Sequence, residues 1–130
     1  MGLELVSVIV KDYDEAVSFF VDVLGCVLED DSPSLDGDGQ PKRWVVVRPP
    51  GAGAGILLAQ ARGEEQESMI GRQFADRVGL FLRVDDFYAT FTRMTKAGVE
   101  FLTEPRTEAY GMVAVFKDLY GNKWDLLGAA

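Results

Sequence analysis

The feature that most restricts what this chain can fold into is that its pattern runs twice. Val10-Lys11-Asp12-Tyr13 and Val84-Asp85-Asp86-Phe87 each close an apolar, β-branched run and open a helical one. Residues 3–10 (LELVSVIV) read as a strand. Asp12, with Glu15 three residues on, is a capping-box start for a helix whose apolar stripe is Ala16, Phe19, Phe20, Val23 and Leu24. Gly25 ends it. A short strand is expected at about 26–30, a polar loop over 31–42, and strands at RWVVVR (43–48) and GILLAQ (55–60) about the turn PPGAG. A polar stretch, 61–77, then serves as a linker, and its GEEQE run reads as a solvated loop. The order then repeats. VGLFLRV (78–84) is a strand, and Asp85 or Asp86 caps a helix carrying Phe87, Phe91 and Met94 on one face. Gly98 ends that helix, a short strand follows at about 99–102, and longer strands lie at about 110–117 and 122–128 around the turn Leu119-Tyr120-Gly121-Asn122. A β-α-β-β-β unit used twice is a duplicated α+β architecture, with modules at about 1–60 and 78–130.

Composition excludes several functions. The chain has no histidine, so Ser-His-Asp and Cys-His sites are impossible and His-rich zinc sites are excluded. Any metal would rest on carboxylates and amides, which favour hard ions. A net charge of −8 repels nucleic-acid backbones and anionic lipid. No apolar run approaches a membrane span, and the first residues carry no basic and apolar leader pattern. The single cysteine, Cys26, has no partner for an internal disulfide, in keeping with a reducing cytoplasm. Following a helix C-terminus, it is expected to hold its proton.

With the repeat in place, two motifs carry a family resemblance. VKDYDEAVSFFVDVLG (10–25) resembles the opening of glyoxalase / bleomycin-resistance / extradiol-dioxygenase (vicinal oxygen chelate) domains. FKDLYGNKWDLLG (116–128) resembles their closing signature, with Leu119 in place of the usual Pro and Asp125 in place of the Glu. The resemblance spans nearly the whole chain. It implies a single glyoxalase-like domain, α+β, of two βαβββ modules whose curved mixed sheet is cupped, with a helix backing each module. In metal-dependent members four ligands line the cup. Those positions fall here on Leu5, Leu57, Gly79 and Asp125, so one carboxylate remains and no metal or other cofactor is expected. Glu4 and Gln60, one register step or a few residues away, are the residues that would rescue a metal site.

Strand alternation sets Val6, Val8 and Val10 under the first helix, and Leu5, Ser7 and Ile9 on the opposite face. In the same way Leu80, Leu82, Val84, Trp124 and Leu126 go to the core. Gly79, Phe81, Arg83, Lys123 and Asp125 then face the cup. The ligand-binding candidates are Ser7, Trp44, Phe81, Arg83, Tyr110 and Asp125. Each has a plainer reading. Asp125 is satisfied by Lys123 or Arg83, Arg83 is solvated, and Trp44, flanked by valines, packs in the core. Tyr110 suits a rim position. PPGAGAG is a hairpin connection and lacks the Lys-Ser/Thr ending of a P-loop.

These readings lead to a metal-independent protein that binds a small hydrophobic or amphipathic molecule, as the bleomycin-resistance branch does, and is a cytoplasmic homodimer. One alternative is a lyase, isomerase or dioxygenase using Asp125. Another is a dimeric interaction module whose pocket is filled by Leu5, Leu57 and Phe81.

Overall fold

In the computed structural model, which describes residues 1–130, each half of the chain begins with a capped strand-to-helix junction. The Asp12 carboxylate accepts the Glu15 N–H at 2.9 Å and the Asp86 carboxylate accepts the Ala89 N–H at 3.1 Å. Asp86, not Asp85, is therefore the second cap. The chain divides into two compact units, Met1–Ile70 and Gly71–Ala130. The first contains β1 (Leu5–Val10), α1 (Tyr13–Ser18), β2 (Val27–Leu35), β3 (Pro41–Arg48) and β4 (Gly55–Gln60), followed by α2 (Gly63–Ser68). The second contains β5 (Val78–Val84), α3 (Phe87–Lys96), β6 (Arg106–Glu108), β7 (Gly111–Lys117) and β8 (Lys123–Gly128). Each has an open four-stranded mixed sheet, ordered β1-β4-β3-β2 and β5-β8-β7-β6. The first and last strands of each unit pair in parallel and the rest antiparallel.

Each helix covers one sheet face. α1 packs on β3 and β4, and α3 on β8. Val8, Val10, Ala16, Phe20, Val45, Val47 and Leu58 are buried in the first unit, and Leu82, Phe87, Met94, Phe116, Trp124 and Leu126 in the second. Each large side chain fully withdrawn from water contributes about 1.5–3 kcal/mol. After Ser18 the first helix widens into a π-helical stretch, Phe19–Val23, with Leu24 N–H bonded to Phe19 C=O. Both helices run out at glycines with positive φ, Gly25 (85°) and Gly98 (93°).

Three expectations are corrected. First, 31–42 is mostly not a loop: β2 runs to Leu35 and only Asp36–Gln40 turns. β2 is a sheet edge with nearly all its residues exposed, so it shows no apolar alternation. Arg43 ties it down, reaching Asp31 at 2.7 Å and Asp14 at 2.8 Å while lying 5.0 Å over the Tyr13 ring. The Asp36 carboxylate folds the turn by accepting the N–H groups of Asp38 and Gln40. Second, the GEEQE run is a helical turn, α2, with no buried residue. Third, 99–102 is only an isolated bridge, Phe101 to Phe116, and the true edge strand is β6.

The β7–β8 turn is held by one carboxylate. Buried Asp118 accepts the N–H groups of Tyr120, Gly121 and Asn122, the Asn122 amide and, at 3.0 Å, the Trp124 indole N–H. Asp118→Ala strands these donors and is expected to cost about 3 kcal/mol. The expected result is a lower urea midpoint followed by Trp fluorescence.

Candidate functional site

The sheet face opposite each helix is where the candidate residues gather, and cross-strand register fixes their neighbours. In the first unit Ser7 lies beside Leu57, Leu57 beside Val46, and Val46 beside Asp30. Trp44, opposite Ser32, lies on the same face two residues along β3. It is 39% exposed, so its expected core position is corrected. β3 turns Val45 and Val47 to the helix, and the alternation carries Trp44 the other way. With Leu57, Ala59, Gln60 and Arg62, Trp44 lines a groove of about 260 Å³. Arg62 holds its rim by an ion pair to Asp36 and a 2.7 Å bond to Pro41 C=O.

In the second unit the equivalent row is Phe81, Asp125 and Val115. Ser7 beside Leu57 thus repeats as Phe81 beside Asp125. The next row holds Arg83, Leu127, Val113 and Arg106, and the row on the other side pairs Lys123 with Lys117. Phe81 is 63% exposed. Arg83 is exposed and forms no ion pair, as its solvated reading has it. Tyr110 is exposed in the β6–β7 turn.

Asp125 is not satisfied as expected. Lys123 turns instead to Asp76, at 2.6 Å. Asp125 Oδ1 is buried with no hydrogen-bond partner. Burial pushes its carboxyl above the ordinary range, opposed by the charge of Arg106. Arg106, itself paired with Glu108 at 2.8 Å, is a site residue the sequence reading missed, because it assigned no strand between about 102 and 110. Its guanidinium feels Glu108, Tyr110 and Asp125, and so links two candidates that sequence spacing leaves unconnected.

The four positions that the resemblance makes metal ligands do not fit a metal ion. Leu5 and Leu57 are hydrocarbon. Gly79 has no side chain and no room for one, since a Cβ there would lie 2.1 Å from the Phe74 ring. Phe74 is the second residue missed, hidden in what reads as a polar linker. Asp125 is left as the lone donor, and nowhere do three Cys, Asp or Glu side chains form a group that could hold a metal. The rescue candidates are engaged elsewhere: Glu4 bonds Arg48 at 3.2 Å, and the Gln60 amide donates to Lys11 C=O at 3.3 Å. Cys26 is buried, which pushes its thiol up to about 11, so it keeps its proton. The cause is burial, where the sequence pointed to the helix end. No helix is long and apolar enough to cross a membrane.

With this geometry in place, comparison with known proteins is informative. The family model described as Glyoxalase/Bleomycin resistance protein/Dioxygenase superfamily matches residues 2–126. The chain belongs to that superfamily. A protein of Shewanella frigidimarina with no assigned function is 48% identical over 123 residues, 94% of this chain and 89% of its own length. Among solved structures, TnmS3, an antibiotic binding protein from Streptomyces sp. CB03234, is 30% identical with TM-score 0.79, covering 100% of this chain and 97% of its own. UcmS2 is 28% identical with TM-score 0.78, covering 98% and 97%. Superfamily membership accounts for the duplicated module and leaves the chemistry to the residues on the open faces.

Two outcomes follow from these contacts. Gly79→Ala should cost about 2 kcal/mol through collision with Phe74, and the Phe74→Ala, Gly79→Ala pair should cost less than the sum of its parts, as a double-mutant cycle of denaturant midpoints would measure. Asp125 has a carboxyl raised above its unfolded value, so folding loses stability as pH rises from about 3.8 through the raised value and carries the full cost above it. Asp125→Asn should therefore melt higher than wild type near pH 7, with the advantage shrinking as the pH falls through that window.

Proposed function

We propose that this chain is a metal-independent binding protein for a small aromatic or amphipathic molecule. The observation that carries the reading is Phe81, a largely exposed aromatic ring beside a carboxylate whose buried Oδ1 lacks a donor. An exposed ring offers a stacking surface. An orphaned buried acceptor costs stability until something donates to it. A flat molecule bearing a donor or cationic group can stack on the ring and pair with the half-exposed carboxylate of Asp125, with Arg83, Arg106 and Tyr110 at the margins. In the first unit Ser7 stands where Phe81 stands in the second, and the aromatic ring is supplied by Trp44, which lines a groove with Leu57. The likeness to TnmS3, described as an antibiotic binding protein, supports small-molecule binding. The reading includes a homodimer, which the bleomycin-resistance branch implies, and a cytoplasmic setting, in keeping with the unpaired Cys26.

The raised carboxyl of Asp125 favours one second reading, a superfamily enzyme with Asp125 as acid–base group. A filled-pocket interaction module is less well supported, because Phe81 stands exposed and Leu57 lines an open groove.

The deciding experiment is elemental analysis of tag-free protein together with melting curves in EDTA, in Ni²⁺, Zn²⁺, Mn²⁺ and Fe²⁺, and against a panel of small aromatic amines and phenols. The expected result is no stoichiometric metal, no EDTA effect, and a higher melting temperature with some aromatic compounds. Phe81→Ala should weaken that binding about tenfold, equivalent to about 1.4 kcal/mol, with the unliganded melting point unchanged. Stoichiometric metal with an EDTA-sensitive melting point would overturn the reading, and turnover abolished by Asp125→Asn would favour the enzyme.

A further inference from the structure

A second candidate site lies beside the β7–β8 turn, one strand row from Phe81 and Asp125. We propose that it binds a small soluble organic phosphate. Arg72, Lys117 and Lys123 line a cavity of about 550 Å³, with Asp76 as its one carboxylate. Lys117 and Lys123 are direct cross-strand partners on β7 and β8. Like charges placed opposite each other repel, and a sheet bears that cost without return unless an anion lies between them. Asp76 offsets only part of it: its carboxylate takes the Lys123 ammonium at 2.6 Å, while Lys117 and Arg72 have no carboxylate partner. The hydrogen bond from Lys123, with the charges of Lys123 and Lys117, holds the Asp76 carboxyl below the ordinary range.

The surrounding charge makes the cluster more telling. The chain carries 21 acidic against 13 basic residues, yet this cavity has three bases and one acid. Five bases and thirteen acids fall in Met1–Ile70, whereas Gly71–Ala130 holds eight of each, so the net −8 belongs to the first unit. A cationic cavity in the neutral unit keeps its field.

The scaffold around it is closely packed and hydrogen-bonded. Gly71, with φ 74°, lies so close to the turn that a Cβ there would be 1.9 Å from the Tyr120 carbonyl oxygen. Asp118 ties down the other side of the turn through its bonds to Tyr120, Gly121 and Asn122. Two ammonium groups and one guanidinium suit the tetrahedral oxygens and double charge of a phosphate monoester, the guanidinium taking two oxygens at once. The cavity far exceeds a bare phosphate, and Leu102 on its wall offers apolar surface to an organic group.

The test is titration calorimetry with inorganic phosphate and with phenyl phosphate, at ionic strength held constant with sodium chloride. Phenyl phosphate should bind, and more tightly than phosphate. Lys117→Ala and Arg72→Ala should each weaken it about tenfold, Asp76→Asn should tighten it, and Phe81→Ala should leave it unchanged. Both alanine substitutions fall outside the core, and far-UV circular dichroism checks that the variants fold. Heat reproduced by chloride alone, or affinity unchanged in both alanine variants, would overturn the proposal. So would loss of binding in Phe81→Ala, which would merge this site with the aromatic one. Co-sedimentation with phosphatidic acid vesicles without binding of soluble phosphate would overturn it in favour of a lipid headgroup.

Discussion

The parallel pairing of β1 with β4, and of β5 with β8, is the constraint from which the rest of each unit follows. A strand cannot return parallel to its partner through a tight turn, so the chain must cross over. Here the crossover is a helix followed by an antiparallel hairpin, and the returning strand, β4 or β8, lies between the first strand and that hairpin. The helix covers one face of the sheet. The other face carries no helix, and every residue that alternates away from the helix is delivered to it. Phe81 and Asp125 become neighbours because β5 and β8 run side by side, though they stand 44 residues apart in sequence.

This explains which parts of the structure were legible. Strands β3, β4, β7 and β8 lie inside their sheets, and β1 and β5, though at sheet edges, bury one face through Val8, Val10 and Leu82, so burial forces apolar residues on all six. Val8 and Val10, or Trp124 and Leu126, advertise their face. The helix starts were legible because Asp12 and Asp86 use short-range cap chemistry that needs no tertiary context. β2 and β6 were misread for the complementary reason. An edge strand in solvent has no core face to encode, and β2 is held by the β3 ladder and by the Arg43 network, in which partners stand 12 and 29 residues apart. The exposed helix α2 has no apolar stripe for periodicity to detect.

The open faces were legible by position and less so by partner. Alternation put Ser7, Phe81, Arg83 and Asp125 on the correct side of their strands. It could not show that Lys123 prefers Asp76 to Asp125, because that choice depends on where the segment after α2 runs. The same segment supplies Phe74, whose ring lies against Gly79. A glycine at that place reads as a lost ligand in the sequence. In the structure it is a packing requirement, since any side chain there would displace the ring.

The energetics of Asp125 draw these threads together. Its neighbours on the strand face are Phe81 and Val115, and neither can donate a hydrogen bond. Placing a carboxylate between them raises the free energy of its charged form, and Arg106, with its own bond to Glu108, returns only part of that cost. In the first unit the equivalent position is Leu57, which carries no such penalty. A module that folds with leucine at this place does not need a carboxylate there for stability. On the binding reading proposed above, the cost of this carboxylate is set against a group that arrives from outside the chain and pairs with it. One of the fold's two buried side-chain acceptors without a partner, the other being Asn122 Oδ1, thus stands beside its most exposed aromatic ring, and on that reading the second open face, not the helix-covered core, is where the chemistry of this protein is to be sought.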